Sequence, residues 1–266
     1  MSLGREVDVW RPRSGVVHSA FERAVNLLVD GELWTVLGAA RADSPFGIRL
    51  AASDAALNVG AADRVNVRAG YVGVGRLIVD CRTASRWVPA RWAQPATGLA
   101  ARLVAVEHAA LARAWHESAG MASDVTDALR GSDAALASAV RRTVGRGPGL
   151  TPAGDDVLVG MLALLTSGAA GAAGERASSR LASALAPVLP TTSDLSRHLL
   201  QQAARGLAGR ALHDLGHALM QDTAHDVLAR AIELALDSGC TSGADAATGL
   251  AAACRFMFFN PDWGAA

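Results

Sequence analysis

Residues 145–156 read Gly145-Arg146-Gly147-Pro148-Gly149-Leu150-Thr151-Pro152-Ala153-Gly154-Asp155-Asp156, and an apolar run begins at Val157. Four glycines and two prolines in twelve positions forbid a regular element. Glycine lets backbone approach a ligand closely, and proline stiffens the loop. The apolar run after Asp156 is interrupted by Gly160, Gly168, Gly171 and Gly174, so it reads as a buried helix and not a membrane span. The stretch is therefore a stiff loop that ends at a helix start. Bare N–H groups on such a loop, next to a helix N-terminus, make a cradle for a small anion. Gly147, Gly149, Thr151 and Gly154 are its candidate binding residues, and Arg146 is a candidate clamp for carboxylate or phosphate. Asp155 and Asp156 suit the helix dipole. They would repel an anion unless a metal or a donor group stands between. They are thus candidate catalytic residues, and candidate ligands for a Mg²⁺ that bridges to an oxyanion. The plainer reading is a helix cap and a solvated first-turn charge.

The loop–helix signal recurs near the C-terminus as Gly239-Cys240-Thr241-Ser242-Gly243-Ala244-Asp245-Ala246-Ala247-Thr248-Gly249-Leu250. With one residue deleted, Thr151 pairs with Thr241, Gly154 with Gly243, Asp156 with Asp245 and Gly160 with Gly249. This reads as an internal repeat. Packed about a pseudo-two-fold axis, the two units would bring Asp156 and Asp245 to one pocket. Thr241, Ser242 and Gly243 would line it and Asp245 would be a third catalytic candidate. Chance similarity among helix starts rich in Gly, Ala and Thr is the plain alternative. A third polar helix start, Thr191-Thr192-Ser193-Asp194-Leu195-Ser196, sets Thr192 and Ser196 four apart on one face, where their hydroxyls could bond a ligand.

Upstream of the loop the pattern changes from helical to β. Short β-branched runs at Leu33–Leu37, Gly47–Ala51, Arg64–Arg68 and Leu77–Asp80 are separated by turn signals such as Asp30-Gly31 and Ala69-Gly70. Pro89 and Pro95 flank a segment containing Trp92, where the β part gives way to the helical part. Helical spacing then appears at Leu99, Leu103, Val106 and Ala110. Further helices are expected over Ser123–Arg142, Asp155–Thr166, Arg176–Ala186, Ser193–Ala208, Ala224–Asp237 and Ala244–Phe258. The fold class is α+β, with a β-rich part over 1–95 and a helical part over 96–266.

Composition narrows the chemistry. The 25 positive charges are all Arg, and they balance 25 acidic residues. With no Lys, a Schiff-base lysine and a phosphate-loop lysine are both excluded. Balanced charge argues against nucleic acid as a partner. Cys81, Cys240 and Cys254 are few, odd in number and far apart, which fits a reduced, cytoplasmic chain. No apolar leader precedes Arg5, Glu6 and Asp8. His213-Asp214-Leu215-Gly216-His217 imitates the spacing of a zinc-binding HExxH helix, but Asp replaces Glu and Gly216 weakens a helix there; a solvated polar face is the better reading. Tyr71–Gly75 lacks the spacing of a dinucleotide fingerprint. His108 and His116 read as helix surface.

The strings GPGLTPAGDDVLVGMLALL (147–165), TTSDLSRHLL (191–200) and GCTSGADAATGL (239–250), with His18-Ser19-Ala20-Phe21 and Val25-Asn26-Leu27, resemble one bacterial family. Its named member is the AllH-type subunit of oxamate carbamoyltransferase. The resemblance implies carbamoyl transfer in purine or allantoin nitrogen catabolism, converting oxalurate and phosphate to oxamate and carbamoyl phosphate. It also implies partner subunits, with self-association as the other form of assembly. Such substrates are small anions with amide groups. One departure is Cys240, where the family is expected to carry His. The alternative function is a non-catalytic subunit that binds a small anion or docks through the tail Phe256-Met257-Phe258-Phe259.

Overall fold

The structure, a computed structural model, describes residues 1–51, 57 and 59–259. It comprises two compact units, Met1–Pro89 and Ala90–Ala266. The architecture is α+β: a curled N-terminal sheet followed by C-terminal helices.

In the first unit, nine strands form one sheet: β1 (Ser2–Gly4), β2 (Arg13–Phe21), β3 (Ala24–Val29), β4 (Glu32–Leu37), β5 (Gly47–Arg49), β6 (Arg64–Arg68), β7 (Tyr71–Val74), β8 (Leu77–Asp80) and β9 (Ser85–Trp87). Their order is β8-β7-β6-β2-β3-β4-β5-β1-β9. Most neighbours are antiparallel, while β4 with β5 and β1 with β9 run parallel. The turn signals act as read. Asp30 and Gly31 have φ of 47° and 85°, and Ala69 and Gly70 have 49° and 85°. Two successive left-handed residues match the twist of the strands they join. In β6 the alternation is clean, with Val65 and Val67 buried between exposed Arg64, Asn66 and Arg68. Trp34, Leu27 and Ile48 are fully buried in the same unit. Buried Asn26 is satisfied, donating to Ser19 Oγ at 3.0 Å and accepting from Thr35 Oγ1 at 2.9 Å.

The second unit holds helices α1 (Leu99–Leu111), α2 (Ser118–Arg130), α3 (Asp133–Thr143), α4 (Ala153–Leu165), α5 (Gly171–Leu185), α6 (Asp194–Ala204), α7 (Arg210–Met220), α8 (His225–Leu236) and α9 (Ser242–Phe258). Nearly every residue of α4 is buried, so it is the central helix of this unit. Each fully buried Leu or Val of α4 contributes about 1.5–3 kcal/mol. Helix α4 packs most extensively on α9. No helix of the described residues is long and apolar enough to cross a membrane.

Several expectations are corrected. The single helix over Ser123–Arg142 is two helices, because Gly131 turns extended and Ser132 caps α3, accepting from Ala135 N–H. Helix α6 stops at Ala204, ahead of Gly206 at φ 78°. His116 sits in the α1–α2 connection, not on a helix. The segment containing His213 and His217 is a real helix, α7. Its Gly216 lies under Trp92, whose ring a Cβ would meet at 2.0 Å. The three cysteines are free thiols; Cys81 and Cys254 are buried and Cys240 is exposed.

Candidate functional site

The glycine-rich loop leaves α3 and enters α4 with Gly145, Gly147 and Gly149 at φ of 73°, 109° and 95°. These left-handed angles are the conformational reason for glycine at each position. Gly147 also packs against the first turn of α4, where a Cβ would lie 2.8 Å from Ala153 N. The loop is closed on itself: Gly154 N–H donates to the Arg146 carbonyl at 2.9 Å and Arg146 N–H to the Thr143 carbonyl at 3.1 Å. By contrast, the amides of Gly147, Gly149, Leu150 and Thr151 donate to no group among the described residues. They are the open donors that a cradle needs.

The three aspartates are buried at 1%, 6% and 0% exposure for Asp155, Asp156 and Asp245. Neither Asp156 nor Asp245 is ion-paired among the described residues. The three are used differently. Asp155 has both oxygens engaged. Its Oδ1 accepts from Gly145 N–H at 2.8 Å, and its Oδ2 accepts from the Thr192 hydroxyl. It ties the loop to the start of α6. Asp245 has one oxygen engaged, its Oδ1 accepting from Trp115 N–H at 2.8 Å and from Ser118 Oγ at 2.6 Å. Its Oδ2 has no partner, and neither does Asp156 Oδ2 or Ser196 Oγ. Unpaired buried polar atoms are uncommon and costly, and each calls for a reason.

Electrostatics separates Asp156 from the rest. Burial pushes its carboxyl well above the usual carboxylate range. The hydroxyls of Ser242 and Thr151 draw it back, and the neighbouring charges of Asp245 and Asp155 push it further up. Burial also raises Asp155, against the opposing pull of Thr192, Gly145 N–H and Ser196. Ser196 Oγ is thus close to Asp155 without making a well-formed hydrogen bond.

The two helix starts come together as the repeat requires. Thr151 Oγ1 lies 2.8 Å from Ser242 Oγ, joining the threshold of α4 to that of α9. Gly154 and Gly243 are packing residues: a Cβ on Gly154 would lie 2.0 Å from the Thr143 carbonyl oxygen, and one on Gly243 1.9 Å from that of Ala235. In each unit, then, the glycine rests on the end of the preceding helix, α3 or α8. Thr241 contributes its carbonyl, accepting from Asp245 N–H at 2.8 Å. Arg146 lies at the exposed edge, donating to Glu117 at 2.7 Å. Exposed Cys240 stands just before α9.

Sequence reasoning missed Trp115, Glu117, Ser118 and Ser193. Trp115 and Glu117 lie in the α1–α2 connection and Ser118 opens α2; together they wall the site beside Asp245 and Arg146. They are distant in sequence and carry no motif. Ser193 donates to the Leu150 carbonyl at 2.6 Å and caps α6; its capping role was the one available signal. Among the described residues no group of three or more His, Cys, Asp and Glu is arranged to hold a metal. A separate cavity of about 420 Å³ lies between α1, α2 and α9, beside Leu111, Ala122 and Phe256, and contains none of these residues.

A sheet unit and a helical unit with two matched helix starts, their carboxylates buried beside open amides, define an α+β protein with a twinned helix-start site. The chain belongs to the AllH family: the family described as oxamate carbamoyltransferase subunit AllH matches residues 143–254, and the AllH family N-terminal domain matches residues 4–86. The first match contains the loop and all three aspartates. Comparison with curated proteins and with solved structures gives no match.

Proposed function

We propose that this chain is a subunit of a carbamoyl-transferring enzyme, and that the site at the starts of α4 and α9 binds a small anion bearing an amide or ureido group. The family's description names oxamate and carbamoyl transfer; our reading extends this to oxalurate and carbamoyl phosphate, in purine or allantoin nitrogen catabolism. One observation carries the reading: two orphaned, buried carboxyl oxygens, of Asp156 and Asp245, stand at helix starts next to a loop of open amides. The open amides and helix dipole favour the anionic end of such a ligand. The carboxyl oxygens favour its N–H groups. Asp155 holds the loop in place, and Thr151 with Ser242 closes the seam between the two repeats. Arg146, at the edge, adds positive charge once it leaves Glu117. A Mg²⁺ entering with an oxyanion would find Asp156 and Asp245 as its protein ligands, because both oxygens of Asp155 are already used.

The alternative of a docking tail has less support, since Phe256 is buried in the core and Met257 and Phe258 pack against it. The test is thermal denaturation of the purified chain with phosphate, oxamate, oxalurate or carbamoyl phosphate. A ligand at a hundred times its Kd adds about 2.7 kcal/mol, a rise of several degrees. The Asp156→Ala protein is expected to fold and to lose that rise. Absence of any rise in the parent chain, or an equal rise in the variant, overturns the reading.

A further inference from the structure

Resting on that reading, we infer that the free Oδ2 atoms of Asp156 and Asp245 together accept the two N–H bonds of an unsubstituted carbamoyl nitrogen, and so select substrates with a terminal –NH₂.

Asp245 is held by Trp115 N–H and Ser118 Oγ on its Oδ1 alone. That fixes the carboxyl plane and leaves Oδ2 unbonded in a fully buried position. Asp156 likewise keeps a buried, unbonded Oδ2. Removing such acceptors from water without a partner is costly. No Arg or His among the described residues pairs with either carboxyl. The Thr151 and Ser242 hydroxyls stand beside the Asp156 carboxyl, yet the Oδ2 atoms of Asp156 and Asp245 remain two acceptors without a donor. A phosphate or carboxylate does not fill that need, because it offers only more acceptors and more negative charge. A primary amide nitrogen fills it with two N–H bonds diverging from one atom. The open amides of Gly147, Gly149, Leu150 and Thr151 supply the opposite preference, donors for an oxyanion. The two halves fix the ligand's direction, with –NH₂ toward the aspartates and the anionic end toward the loop. A site built to bond an N–H discriminates strongly against an analogue that lacks it, since its own buried groups are then left unpaired.

Carbamoyl phosphate and acetyl phosphate make the test. They share shape and charge and differ in –NH₂ against –CH₃. Calorimetric titration of the full chain in the cold, with EDTA present, is expected to show carbamoyl phosphate binding more than tenfold tighter. In Asp156→Asn and Asp245→Asn an acceptor gives way to an amide, and the ratio is expected to fall below about twofold. Should either variant fail to fold, Ser118→Ala, which only loosens Asp245, is expected to lower the ratio severalfold. Equal affinity of the parent chain for the two phosphates overturns this inference and leaves the proposed function standing. Binding that appears only with Mg²⁺ also overturns it, and assigns the carboxyl pair to the ion. Binding of neither phosphate, nor of inorganic phosphate, overturns the proposed function itself.

Discussion

Gly160 and Gly249 occupy reciprocal places where α4 and α9 cross. A Cβ on Gly160 would lie 1.8 Å from the carbonyl oxygen of Ala246, and one on Gly249 would lie 1.9 Å from that of Val157. In the repeat alignment Val157 is the counterpart of Ala246. Each glycine therefore touches the equivalent of the residue that its twin touches, which is the signature of a two-fold contact. The internal repeat read from sequence is thus also a spatial one.

At either glycine a methyl group would meet backbone, which cannot step aside, so the helices must move apart. Gly160→Ala and Gly249→Ala are each expected to destabilise by about 3 kcal/mol. Once the helices have separated for one methyl, the second finds room. The double variant is therefore expected to lose less than the sum of the two, and chemical denaturation of the four proteins measures the shortfall. Strict additivity would place the two contacts at independent sites.

Asp156 is a carboxyl that the folded chain holds with a raised pKa, chiefly through burial. The folded state therefore keeps its proton to higher pH than the unfolded state does. The associated stability is complete below the ordinary value of 3.8 and is lost as pH rises through the elevated folded value. Asp156→Asn has no charge to bury. Relative to the parent, its melting temperature is expected to gain progressively from about pH 4 toward neutrality, while its response to ligand disappears. A variant less stable than the parent at pH 7 would make Asp156 a structural residue.

Asp155 differs from Asp156 in having both oxygens bonded within the fold. Its carboxylate accepts from Gly145 N–H and Thr192 Oγ1, so Asp155→Ala frees the loop from α6. A loss of about 2 kcal/mol is expected, together with faster amide exchange from Gly145 through Gly154. Unchanged exchange in that segment would contradict the pinning role.

Arg146 and Glu117 form an exposed pair, and such pairs add little to stability. Arg146→Ala is expected to melt with the parent and to bind phosphate several times more weakly, with a shallower dependence on salt. Phosphate affinity indifferent to the substitution would leave Arg146 as a tether for the α1–α2 connection alone.

What could be read in advance follows from how local each cause is. The loop, the two aspartate-bearing helix starts and their kinship were legible because glycine, proline and acidic first-turn residues act over a few positions. The clean alternation of β6 was legible for the same reason. Strand β2 was not, because most of its residues face outward and Val17 is the only one buried. Strand β3 hid a buried Asn26 whose partners, Ser19 and Thr35, lie on neighbouring strands. Helix α7 was set aside for its Gly216, whose helical cost is offset by close approach to Trp92, more than a hundred residues away in sequence. The hold of Trp115 and Ser118 on Asp245 spans 130 and 127 residues and leaves no mark on the local pattern.

The crossing at Gly160 and Gly249 has a mechanical side. Asp156 and Asp245 each lie four residues ahead of their glycine, a lever of about 6 Å along the helix axis. With backbone against backbone at the fulcrum, the helices can pivot but not draw closer. A pivot of about 10° would swing each carboxyl by roughly 1 Å, which in the proposed function separates gripping a small ligand from releasing it.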